Sequence, residues 1–188
     1  WTNEVAELVE KKIPGKKFGL LAYLQVLEPP TRVEVDPSIV PFITYENTRW
    51  EDLEYRDKME KVTEAWGEAA STLGWYDYVY GARYLVPRFF PHAEQKSLVW
   101  GADHKVKYYY AEAIPSWLEG PNLWVLNKLL WNPHQDVDVL LDDWYAAAVG
   151  PAAAPKLRGF YEIWEKFWRD DIRASEWYSA TNLWLSFE

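Results

Sequence analysis

The chain has no cysteine, and that absence removes disulfide bridges, thiolate metal sites and thiol nucleophiles together. It leaves the compartment open, because exported bacterial proteins also dispense with disulfides. No apolar run approaches the roughly eighteen residues of a spanning helix, and the first residues lack a charged n-region followed by an apolar h-region. No lysine/arginine cluster offsets the formal net charge of -9, so phosphate backbones and anionic membrane surfaces would be repelled. Nucleic acid is therefore not an expected partner, whereas neutral or cationic ligands remain. G-x-S-x-G, H-E-x-x-H and P-loop patterns are missing as well. The three histidines, His92, His104 and His134, show no metal-ligand spacing, and each reads as a cap or surface residue. No metal and no cofactor is expected, and no self-sufficient catalytic signature stands in the chain.

What the chain has in excess is tryptophan and tyrosine, thirteen of each in 188 residues. These side chains join a large apolar face to a polar edge, which suits amphipathic ligands such as sugars. Core filling accounts for many of them, since aromatics are mostly buried on average. Trp66, Trp124, Trp131, Trp144, Trp164 and Trp168 recur on helical faces and read as packing.

Hydrophobic spacing alternates between helical and strand patterns. Val5, Leu8 and Val9 recur at helical spacing, Pro14-Gly15 stops that helix, and FGLLAYL (18–24) reads as a buried strand. The chain opens inside this first helix, so Trp1 is expected to be an internal position of a longer protein. A proline-rich loop precedes a second strand, IVPFITYE (39–46). A long helix is predicted over 54–73, its apolar face carrying Met59, Val62, Trp66 and Leu73, with Gly74 as its terminator. WYDYVYG (75–81) predicts a third strand, PHAEQKSLVWGADH (91–104) a helix, and KVKYYYAEA (105–113) a fourth strand. From Asn122 onward the pattern is helical, with an aspartate cap before VDVLLDDWYAAAV and Gly150 after it.

Strands separated by helices or crossovers imply parallel pairing. Two architectures share that order, a doubly wound sheet and half of an eight-stranded barrel. A dinucleotide-binding sheet needs a glycine-rich turn after its first strand, and AYLQVLEPPT has none. A barrel places polar and aromatic residues at strand C-terminal ends; here those ends carry Tyr23, Tyr45 and Glu46, Asp77 and Tyr80, and Glu112. The expected fold is α/β, the C-terminal half of a TIM-type (β/α)8 barrel with about four parallel strands, flanking helices and a helical C-terminal third. One domain spans 1–188, with β/α units over 1–120 and a closing helical segment over 121–188.

The stretches NEVAELVEKKIPGKKFGLLAYLQVLEPP, YDYVYGARYLVPRFFPH and YYYAEAIPSWLEGPNLWVLNKLLWNPHQDVDVLLDDWYAAAVGPAAAP resemble the bacterial domain-of-unknown-function family 4838 over roughly residues 3–168. The block from KLLWNP to GPAAAP is the most specific part. That family is similar to glycoside-hydrolase barrels such as the family 20 hexosaminidases and family 67 alpha-glucuronidases. The resemblance implies a sugar-binding barrel, the remainder of that barrel in the parent chain, and an extracellular or periplasmic bacterial location.

Glycoside hydrolysis uses two carboxyl groups, about 5 to 5.5 Å apart for retention or about 6.5 to 9.5 Å apart for inversion. Glu112 is the first candidate, because the tyrosines before it could desolvate it and raise its pKa toward acid catalysis. Asp77 is the second: it interrupts an apolar strand, where a carboxylate needs a partner or a task, and it points inward only if Tyr76 and Tyr78 point outward. Glu46, at the end of the second strand, is the third, with a cap or loop salt bridge as its alternative. Glu28 and Glu119 read as solvated loop residues. Tyr23, Tyr45, Tyr80, Tyr84 and Trp117 are candidates for stacking a sugar ring, and Arg83, with Arg49 and Arg88, for engaging a substrate carboxylate or neutralising the acids. Three readings follow: a glycoside hydrolase working by carboxylate acid/base catalysis, a non-catalytic carbohydrate-binding barrel, and a structural half-barrel whose aromatics are all core.

Overall fold

The structure, a computed structural model, describes residues 1–79, 87–113 and 120–171. Helix α1 (Thr2–Lys12) begins with Glu4 in its first turn and ends with Lys11 and Lys12, charges that complement the helix dipole. Strand β1 (Phe18–Ala22) follows after Gly15, whose φ of +76° makes the turn that Pro14 opens. Then come β2 (Ile39–Tyr45), α2 (Leu53–Ala69), β3 (Leu73–Tyr78), α3 (Pro91–Asp103) and β4 (Val106–Glu112). Three helices complete the order: α4 (Asn122–Trp131), α5 (Val137–Val149) and α6 (Ala154–Lys166), with a π-helical turn at Phe167–Asp171.

The strands form one sheet in the order β1-β2-β3-β4. β1 and β2 run parallel with Leu21 opposite Phe42, and β2 and β3 run parallel with Phe42 opposite Gly74 and Tyr45 opposite Asp77. On the far side the Leu73 amide donates to the Lys105 carbonyl and the Val79 amide to the Glu112 carbonyl, each at 3.0 Å, so donors and acceptors advance together along β3 and β4. The helix expected over 54–73 stops at Ala69, and Gly74 is a strand residue rather than a helix terminator. Burial explains the difference. Leu73 and Trp75 are both fully buried in the sheet, and a Cβ at position 74 would stand 2.7 Å from the Phe42 ring. Only glycine lets that ring lie flat against β3.

The described residues gather into two compact units. The first takes in Trp1–Glu46, Glu54–Asp77 and Trp100–Ala111, and so holds α1, nearly all of α2 and of the sheet, and the last turn of α3. One face of its sheet carries Ala22, Ile43, Tyr45, Trp75 and Asp77, all buried. Helices cover this face: the Trp75 indole nitrogen donates to Thr63 of α2 at 3.4 Å, and the Trp75 ring lies parallel to Trp100 of α3. α2 is fixed at its other side by the Trp66 indole, which donates to the Leu27 carbonyl at 2.7 Å.

The second unit draws on the described parts of Asn47–Leu53, Tyr78–Val99 and Glu112–Glu188. Its core is Phe89, Phe90 and Leu98 with Val125, Leu129, Leu140, Leu141, Tyr145 and Tyr161 from α4 to α6. Asp136 caps α5 by accepting from the amides of Asp138 and Val139, and Gly150, at φ +78°, ends it. Arg88 is buried here: it donates to the Thr48 hydroxyl at 2.6 Å and lies 5.6 Å from the centre of the Trp168 ring. Trp131, read from the sequence as a packing residue, is 91% exposed, because its position at the end of α4 turns it out of the apolar stripe formed by Val125, Leu126 and Leu129.

Candidate functional site

Side-chain alternation sorts the strand residues into two sets. Opposite the helix-covered face of the sheet stand Leu21, Phe42, Thr44, Tyr76, Tyr108 and Tyr110. This face is open: Tyr108 is 46% exposed and Tyr110 53%. Tyr76 and Tyr110 stack with their ring centroids 4.8 Å apart, and Phe42 lies 6.3 Å from Tyr108. Phe42 reaches across the sheet because glycines flank it: a Cβ at Gly19 would meet its ring at 3.3 Å, and the one at Gly74 would collide with it. The outcome is a shelf of four aromatic rings on three strands, three of them bearing hydroxyls.

The covered face holds the buried acid. Asp77 is 0% exposed and accepts a hydrogen bond from the Tyr109 hydroxyl at 2.5 Å. Its register partner Tyr45 is 1% exposed, its ring stacked on Trp75 at 4.4 Å with 8° between the planes. Burial first, then the neighbouring Tyr55 and Asp77, push the Tyr45 phenol well above its ordinary value, so it stays neutral. Among the described residues no group of three or more His, Asp or Glu side chains could hold a metal ion, and no helix is long and apolar enough to cross a membrane.

A family profile described as a domain of unknown function (DUF4838) matches residues 1–162, from α1 through most of α6. The chain belongs to the DUF4838 family. No curated protein and no solved structure matches it.

In this DUF4838 chain the residues singled out from the sequence fall into three groups. Tyr45 and Asp77 come together beneath helices: Tyr76 takes the open side of β3 and Asp77 the covered side. Tyr45, considered for stacking a sugar, is buried with its ring against Trp75. Glu46 is buried at the end of β2, and its backbone amide donates to the Tyr55 hydroxyl at 2.9 Å. Glu112 is half-buried as the last residue of β4, in the alternation position shared by Tyr108 and Tyr110. Tyr23 is exposed just past β1, and Glu28 is solvated as expected. Tyr80, Arg83, Tyr84, Trp117 and Glu119 lie outside the described residues.

Sequence reasoning passed over the open-face rings Phe42, Tyr76, Tyr108 and Tyr110 as site residues. The signal was present in the alternation of FGLLA, IVPFITY and VKYYYAE, but it could be used only once the pairings of β2 and of β4 with β3 were known. Register tells which tyrosine of a YYY run faces which way. Arg88, considered for a substrate carboxylate, is 2% exposed and packed under Trp168. His92, read as a cap or surface residue, is the centre of a carboxylate cluster: its Nδ1 lies 2.8 Å from Glu165.

Proposed function

We propose that this domain binds carbohydrate on the open aromatic face of its sheet. The observation that carries the reading is the Tyr76–Tyr110 stack beside an exposed Tyr108. A flat ring offers the C–H side of a pyranose an apolar surface, and the phenol hydroxyls can meet the sugar's own. Tyrosines do this at low entropic cost because only two torsions must be fixed. Single exposed apolar side chains are ordinary, but a contiguous patch of them marks a contact surface. The net charge of -9 disfavours polyanionic glycans and leaves neutral or cationic ones.

The sheet supports a barrel reading of the fold. Its order does not reverse, whereas a doubly wound sheet reverses at a switch point. Its helices cover one face, as around a (β/α)8 barrel. Tyr76 and Tyr110 stand in the C-terminal halves of their strands, the end at which such barrels bind substrate.

Binding is tested by affinity electrophoresis and calorimetry against soluble plant and bacterial polysaccharides. Tyr110→Ala should weaken the best ligand by about fivefold to tenfold with an unchanged circular dichroism spectrum. Trp131→Ala, which removes an even more exposed ring from α4, should leave affinity untouched. Equal losses in both variants, or none in Tyr110→Ala, would reject the aromatic shelf. A hydrolytic reading rests on Glu112, half-buried at the C-terminal end of β4. It requires sugar release by the parent protein that a folded Glu112→Gln variant lacks; binding without release leaves a non-catalytic domain.

A further inference from the structure

We propose that His92 is a pH-sensitive latch that fastens α5 and α6 to the N-terminus of α3. The geometry that points to it is a single residue tied at three points. The His92 backbone amide donates to Glu165 Oε1 at 3.2 Å, which makes a carboxylate of α6 the acceptor for an otherwise unpartnered amide in the first turn of α3. The same carboxylate holds the imidazole, with Nδ1 at 2.8 and 2.9 Å from its two oxygens. On the opposite edge of the ring, Nε2 stands 3.7 Å from Asp138 Oδ1 of α5. One imidazole thus lies between carboxylates from two different helices.

The surroundings decide what its charge does. Glu165 is buried while His92 is partly exposed, so the ring can exchange protons with solvent while its main partner is shielded. Beside them lies a cavity of about 40 Å³ lined in part by Thr48, Glu51, Lys96 and Arg169. Lys96 opposes a charged imidazole but is itself paired with Glu51 at 2.6 Å. Arg169 is engaged by Asp170 at 2.9 Å. Asp138 also pairs with Arg158, which binds Asp142 and Glu162 as well. The hydrogen bond to Glu165 is the largest influence on His92 and raises its pKa above the ordinary 6.5; burial opposes it, and the charges of Glu165 and Asp138 add to it.

The direction of the switch follows. A folded-state pKa above the unfolded one means that the stabilisation is complete below about pH 6.5 and is lost as pH rises through the higher folded value. Above it, the neutral ring can still donate from Nδ1 to Glu165, but the attraction to Asp138 and the charge assistance at Glu165 are gone. The α5–α6 pair then loosens from α3.

The test combines imidazole NMR titration with thermal melts of the parent, His92→Asn and Glu165→Gln. Asparagine keeps a donor near the Nδ1 position but does not titrate. With three histidines in the chain, the His92 signal is assigned by its loss in His92→Asn. The parent ring should titrate above 6.5, and Glu165→Gln should lower its midpoint. From about pH 6 to pH 9 the parent's Tm should fall by about 2 to 4 °C more than that of His92→Asn. Hydrogen exchange at about pH 6 should be faster in His92→Asn for amides of α5 and α6 and unchanged in β2. A midpoint at or below the ordinary value, an equal Tm decline in His92→Asn, or a uniform rise in exchange would each overturn the latch. If His92→Asn does not fold, the parent titration and its response to Glu165→Gln decide alone.

Discussion

Gly101→Ala sets helix propensity against packing. Gly101 lies in the last turn of α3, where alanine should gain up to about 1 kcal/mol over glycine. The added Cβ, however, would stand 2.6 Å from Trp75 Cη2, 2.8 Å from Cζ3 and 3.1 Å from Cζ2. Ordinary carbon contacts are about 3.5 to 4.0 Å, so the overlap approaches roughly 1 Å. Trp75 has little room to yield: it is fully buried, stacked on Tyr45 at 4.4 Å and parallel to Trp100 at 6.2 Å. Overpacking of this kind costs about 1 to 3 kcal/mol, which leaves Gly101→Ala destabilised by roughly 0 to 3 kcal/mol after the propensity gain. Gly159 of α6 is the control, since nothing lies within 4 Å of its added Cβ and only the propensity gain should appear. The assay is urea denaturation followed by near-ultraviolet circular dichroism, in the parent and in a Trp75→Phe background whose smaller ring lacks the outer indole atoms. There Gly101→Ala should become neutral or stabilising. A coupling between the two substitutions below about 0.5 kcal/mol would falsify the steric account.

Further outcomes follow from single contacts. Tyr109→Phe removes the hydroxyl that donates to buried Asp77 and should cost about 1 to 3 kcal/mol in chemical denaturation; a loss under half that range would mean that Asp77 is held by its other contacts. Asp136→Ala deletes the side chain capping α5 and should lower stability by about 1 kcal/mol, whereas Asp136→Asn, which retains an acceptor, should recover most of it in the same melts. Tyr145→Phe should be neutral or stabilising by up to about 1 kcal/mol, because the buried Tyr145 hydroxyl finds no hydrogen-bond partner among the described residues. A clear loss in thermal midpoint for that variant would reveal a bond that the buried phenol does make.

Much of the element order was legible before any coordinates. The strand expected at 39–46 is found at Ile39–Tyr45, and the one at 105–113 at Val106–Glu112, because β-branched and aromatic runs bounded by polar or glycine residues leave few alternatives. The aspartate cap and terminal Gly150 of α5 were equally readable, since both act within one turn of chain. The site was less legible. Asp77 was recognised as a carboxylate that needed a partner, yet that partner, Tyr109, lies thirty-two residues away and is identified only by strand pairing. His92 and Glu165 are seventy-three residues apart, and no local spacing announces their contact.

The sequence by itself determined the alternation of strands and helices, the exclusion of thiol chemistry, and an aromatic content in search of a surface. These are properties of short windows and of composition, where each residue's preference acts locally. Tertiary structure alone decided which aromatics are core and which are surface. In the run Tyr108, Tyr109 and Tyr110 the outer two face outward and the middle one bonds a buried acid. Identical side chains in consecutive positions carry no information about their direction; the pairing of β4 against β3, which sets Tyr109 beside Asp77 and Tyr110 beside Tyr76, supplies it.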